Sequence, residues 1–83
     1  MIGANLTATN LTEANLMQAN LHNANLTVAD LSGANLENAQ TYGANFSHAN
    51  LEKANMKGAN MVGANLEKAT LTGAIMPDGT IHE

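Results

Sequence analysis

Ala24-Asn25-Leu26-Thr27-Val28-Ala29-Asp30-Leu31-Ser32-Gly33-Ala34-Asn35-Leu36 repeats one pattern every five residues: Ala, Asn or Asp, Leu, then two variable positions. The register extends outward without an insertion, from Ala4 to Asp78. Every fifth residue from Leu6 to Met76 is large and apolar except Thr41, and the residue two before it is Ala except at Thr9. A helix would place apolar residues at three- and four-residue steps, and a continuous strand would alternate them. Five fits neither. Within a unit, Ala and Leu stand two apart with Asn between them, which is local strand geometry with both on one side. The two remaining positions carry Gly33, Gly43, Gly58, Gly63 and Gly73, and mostly polar residues elsewhere, so they read as turns. Each unit is a short extended piece followed by a corner. A chain that corners the same way after every unit winds into a coil, with Ala and Leu toward the axis and Asn toward solvent. Stacked coils then pair backbone to backbone as neighbouring strands do.

The pattern assigns the shaft of such a solenoid to Leu6, Leu11, Leu16, Leu21, Leu26, Leu31, Leu36, Phe46, Leu51, Met56, Met61, Leu66, Leu71 and Met76. Met1 falls at the same position, and Gly79-Thr80-Ile81 falls in register as a degenerate further unit. The chain reads as one domain, residues 1–83, with regular repeats over 4–78 and a degenerate C-terminal cap over 79–83. Thr41 is the one polar axis residue. Its hydroxyl is expected to be buried against a backbone carbonyl or an ordered water, with Phe46 filling the space it leaves.

Ala4-Asn5-Leu6-Thr7-Ala8 and its successors resemble the pentapeptide-repeat family, whose consensus is Ala-(Asp/Asn)-Leu-x-x. The resemblance covers nearly the whole chain. It implies an all-β fold, a right-handed four-sided (quadrilateral) β-helix solenoid of about four coils, each of twenty residues. Spacing alone does not give twenty, because the local echoes recur at fifteen (Leu51-Glu52-Lys53-Ala54 with Leu66-Glu67-Lys68-Ala69) and at thirty (Gly3-Ala4-Asn5-Leu6 with Gly33-Ala34-Asn35-Leu36). The ending Ala74-Ile75-Met76-Pro77-Asp78-Gly79-Thr80 is similar to the close of cyanobacterial members. The family shares a shape and no single activity, so the fold alone assigns no function.

Charge is sparse: seven acids, three Lys and no Arg, with one Tyr and one Phe as the only Phe, Tyr or Trp. Without a basic patch or a stacking platform, nucleic-acid binding is not expected. The absence of Cys removes thiolate chemistry and disulfides. No signal peptide and no apolar run of bilayer-spanning length are present, so a soluble, cytoplasmic protein with no membrane partner is expected. His22, His48 and His82 are too scattered to share a metal ion. No nucleophile motif or phosphate loop occurs, and a close-packed shaft leaves no substrate cavity. No enzyme activity, metal or cofactor is expected. Sequons at Asn5, Asn10, Asn25 and Asn45 are by-products of the repeat, and the Asn run itself is expected to form amide ladders along the axis.

With the twenty-residue coil that the resemblance implies, outward residues sort into columns. Three columns carry the charges. The fourth reads Ile2, His22, Tyr42, Val62 and His82, beside Gly3, Asn23, Gly43 and Gly63, and between Met1 and His82 it has no charged side chain. Ile2, His22, Tyr42 and Val62 form the candidate interaction face, read as a flat uncharged strip. The expected function is a non-enzymatic structural or protein-interaction module, a rigid scaffold with an unknown protein partner. The alternative is a DNA mimic acting on DNA gyrase. A homodimer through a solenoid end or through the Tyr42 face is expected, with Pro77 blunting the C-terminal end by removing a backbone donor.

Overall fold

A computed structural model describes residues 2–83; Met1, an axis position by sequence, lies outside them. Parallel bridges join Asn5 to Asn25, Asn10 to Asp30, Asn15 to Asn35 and Asn20 to Gln40, and the pairing continues at the same separation through Asn55 and Ile75. Each bridge therefore links one coil to the next, twenty residues on. Four bridged positions per coil give four sides, centred on Asn25, Asp30, Asn35 and Gln40 in one coil. No side is long enough for more than one bridged residue before the chain corners.

The corners are hydrogen-bonded turns. Ala24 N–H donates to Leu21 O at 2.9 Å, closing a turn over His22 and Asn23, and the same closure recurs in every unit from Leu6 to Met76. The third residue of each regular turn has positive φ, as in Asn23 at 59° and Gly43 at 71°, which is the conformation a type II turn requires. Nine of these corner residues are not glycine, among them Val28 at 63°.

The unit Ala24–Val28 shows how every backbone donor is satisfied. Ala24 closes the turn; Asn25 N–H donates back to Ala4 O at 2.8 Å, and Leu26 and Val28 donate forward to Asn45 O at 2.7 Å and Ser47 O at 3.0 Å. The fifth donor, Thr27 N–H, reaches Asn25 Oδ1 at 3.0 Å. That is the work of the Asn column. Its Oδ1 accepts the N–H two residues on within its own turn, an Asx turn, from Asn5 through Asn65 wherever Asn or Asp occupies the position. The amide ladders along the axis give way to this local bond, because the N–H after each axis residue has no ladder partner. Where Ile75 replaces Asn, the residue two on is Pro77, which has no N–H to satisfy. Pro77 thus spares an Asx bond and removes no ladder donor.

Leu21, Leu26, Leu31, Leu36, Phe46, Leu51 and Met56 are fully buried along the shaft, packed with Ala24, Ala29, Ala34, Ala39, Ala44, Ala49 and Ala54. Leu16 is nearly so. Leu6 and Leu11 at one end, and Met61, Leu66, Leu71 and Met76 at the other, are half-buried against the core. Thr41 is 1 % exposed. Its Oγ1–H donates to Asn60 O at 2.9 Å, the carbonyl that also accepts Thr41 N–H at 3.0 Å.

The last residues depart from the register. Ile81 bridges Ile75 in antiparallel sense and is 66 % exposed. It is not a further axis residue: the chain reverses after Asp78.

Candidate functional site

Three corner residues stack in register with Ile2 along one edge. Gly3 N–H donates to His22 O at 2.8 Å, Asn23 N–H to Tyr42 O at 3.1 Å and Gly43 N–H to Val62 O at 2.9 Å, which aligns Ile2, His22, Tyr42 and Val62 coil by coil. Each is the second residue of a turn. The strip is therefore a ridge where two sides meet, and not a flat face. His82 does not extend it, because the reversed tail carries it to the side centred on Ile75, where His82 N–H donates to Ala74 O at 2.8 Å.

The ring of Tyr42 lies on that of His22, with centroids 4.1 Å apart and planes tilted by 34°. Both are half-buried, whereas Ile2 is 65 % and Val62 76 % exposed. The ring pair forms a semi-rigid step between two bare aliphatic groups. Beside it, Asn23 Oδ1 occupies the space that a Cβ on Gly43 would need, and the neighbouring Gly63 finds only the backbone of Gly43 nearby. The side chain of Asn23 thus fills the corner at Gly43, beside Tyr42, and the ridge is bare of a neighbouring side chain at Gly63, beside Val62.

The unit below Tyr42 breaks the Asx rule. His22 N–H and Val62 N–H are held by Asn20 and Asn60 Oδ1 at 3.2 and 3.1 Å. Gln40 stands at the equivalent position before Tyr42 and its longer side chain makes no such bond, so among the described residues Tyr42 N–H has no partner. A free donor, an aromatic step and two aliphatic groups suit an uncharged partner surface.

The charged side chains lie elsewhere. An open depression on the opposite corner is lined by Thr12, Glu13, Ser32, Gly33, Glu52 and Lys53. Among the described residues no three His, Cys, Asp or Glu come together as a metal site, and no helix is long and apolar enough to cross a membrane. Among the described residues, three exposed large apolar side chains stand off the ridge: Met17, Val28 and Ile81. Val28 had no distinguishing signal in the sequence beyond standing at a corner position. The exposure of Ile81 follows from a reversal that the repeat does not announce.

Residues 1–39 and 42–76 match the family described as pentapeptide repeats, in eight copies. The break falls on Gln40 and Thr41, in the unit where Asn and Leu are both replaced. Three cyanobacterial structures are similar. HetL, a pentapeptide repeat protein involved in heterocyst differentiation regulation in Nostoc sp. strain PCC 7120, is 45 % identical over 94 % of this chain and 40 % of its own, with a TM-score of 0.65. Another pentapeptide repeat protein of Nostoc PCC 7120 superposes with a TM-score of 0.89 at 36 % identity, over 90 % of this chain and 62 % of that one. A third, from Cyanothece 51142, gives 0.72 at 38 % identity, over 98 % and 62 %. The chain thus spans 40 % to 62 % of the length of these solved relatives. No curated protein matches it. The matched structures imply a right-handed quadrilateral β-helix.

Proposed function

The chain belongs to the pentapeptide-repeat family, and from that premise we propose that it is a non-enzymatic protein-interaction module: a rigid β-solenoid of about four twenty-residue coils that meets a protein partner along the Ile2–His22–Tyr42–Val62 ridge. The observation that carries this reading is the Tyr42–His22 ring step, set between exposed Ile2 and Val62 on a corner whose residues at 2–3, 22–23, 42–43 and 62–63 include no Asp, Glu or Lys. Aromatic residues that present large area with few rotatable bonds are favoured at interface centres. The filled shaft supports the non-enzymatic reading, since it leaves a substrate no interior site. A second copy of the chain is one partner that could use the ridge or a solenoid end. HetL's involvement in regulation of heterocyst differentiation fits a scaffold that acts by contact. A DNA mimic acting on DNA gyrase has no observation in its favour, because Lys53, Lys57 and Lys68 stand among the acids on the charged corners.

Capture from a lysate of the source cell, using wild type, Tyr42→Glu and Glu52→Gln, tests the proposal. The expected result is a protein that wild type and Glu52→Gln retain and Tyr42→Glu loses. Identical captures by all three chains would remove the ridge from the account.

A further inference from the structure

Residues 79–83 leave the repeat and double back over one side of the solenoid. Asp78 anchors the reversal, its carboxylate accepting Thr80 N–H at 3.0 Å and Thr80 Oγ1–H at 2.6 Å. Met76 N–H then donates to Thr80 O at 2.7 Å, Gly73 N–H to His82 O at 2.7 Å, and His82 N–H to Ala74 O at 2.8 Å. The returning segment fills the layer that another coil would occupy above Ile75. The other three sides of that end stay uncovered. Among the described residues the N–H groups of Met61, Gly63, Leu66 and Lys68 and the carbonyls of Ala59, Ala64 and Ala69 have no backbone partner.

Such an edge is a template for another chain. A flat solenoid end arriving in register would repeat the bonds of the interior, where Leu26 N–H meets Asn45 O at 2.7 Å. Ladder bonds need an N···O distance of about 2.9 Å, whereas one extra strand stands roughly 4.8 Å high. A flat end resting on the tail is held off the other three sides by one strand spacing. We propose that Gly79–Glu83 is a spacer that bars end-on stacking of a second copy of this chain onto the end carrying Met61, Leu66 and Leu71. Self-association then proceeds by other surfaces, and release of the tail turns this end into an adhesive one. The spacer acts whatever the ridge binds.

Sedimentation velocity over a wide concentration range, on the chain of residues 1–83, tests the spacer. His82→Pro removes the N–H that donates to Ala74 O, while His82→Ala keeps it. The expected result is a sedimentation coefficient that climbs with concentration for His82→Pro, beyond any species formed by wild type or His82→Ala. Amide exchange at Gly73 and Met76 reports whether the tail has lifted. Fast exchange at both amides in a His82→Pro chain that sediments like wild type would overturn the proposal, as would wild type that itself stacks through this end. Should His82→Pro fail to fold, Asp78→Ala, which removes only the anchor under Thr80, carries the same expectation and the same refutation.

Discussion

Asn23 lies over Gly43, one coil on, so closely that a Cβ at Gly43 would collide with Asn23 Oδ1. Asn38 stands to Gly58 in the same way, and Glu13 Cγ would sit 3.0 Å from a Cβ on Gly33. Two demands therefore meet at these corners: a positive φ, and room for the side chain of the preceding coil.

Gly43 and Gly63 separate the two demands. Both have positive φ, at 71° and 72°, but a Cβ on Gly63 would touch nothing closer than Gly43 N at 3.7 Å. Gly63→Ala is expected to cost about 1 kcal/mol, the left-handed penalty alone. Gly43→Ala should cost about 2 kcal/mol or more, because Asn23 must also move. Urea denaturation of the two variants measures the difference; equal losses would show that Asn23 yields freely.

Val28 is a β-branched residue at φ 63° and is 55 % exposed, so it bears strain with little burial to offset it. Val28→Gly is expected to stabilise the fold by about 0.5–1 kcal/mol, the left-handed relief less the added chain entropy of glycine. A lower denaturation midpoint for the variant would mean that the valine methyls contribute more than the strain costs.

Gln40→Asn should supply the Oδ1 acceptor that Tyr42 N–H lacks. The expected gain is about 0.5–1.5 kcal/mol, the net worth of one hydrogen bond. The reverse change, Asn60→Gln, should lose a similar amount by freeing Val62 N–H. Thermal denaturation of both variants checks the pair. No gain from Gln40→Asn would show that solvent already satisfies the Tyr42 donor.

The corners and the shaft were legible because a five-residue period leaves a chain no regular alternative, and the axis residues announce themselves by size. The unit at Gln40-Thr41-Tyr42 was legible as irregular, and the backbone-carbonyl partner of the Thr41 hydroxyl was one of two named from the cost of burying it. The work of Asn was not. An amide can bond along the axis or within its own turn, and only the backbone accounting at Thr27 shows that the turn needs it. The ridge residues could be grouped from a twenty-residue coil, but their place on a corner depends on which two residues close the turn. His82 leaves that column because the Asp78–Thr80 reversal is a tertiary event with no periodic signature.

Asp78 makes the tail sensitive to acid. Its pKa is lowered, first by the Thr80 hydroxyl and then by the Thr80 N–H. A carboxylate whose folded pKa is depressed contributes stability that is present above its unfolded value and lost as pH falls through the folded one. Protection of the Gly73 and Met76 amides should therefore hold at neutral pH and decline below about pH 4. In Asp78→Asn that acid step should vanish. Protection that increases on acidification would contradict the anchor.

The central claim is that the backbone closes a coil every twenty residues, and through-hydrogen-bond scalar coupling in solution reads it most directly. The predicted couplings run from Leu26 N–H to the Asn45 carbonyl carbon, and from Asn25 N–H to that of Ala4. Couplings from these amides to carbonyls four residues earlier, as in a helix, would contradict the account.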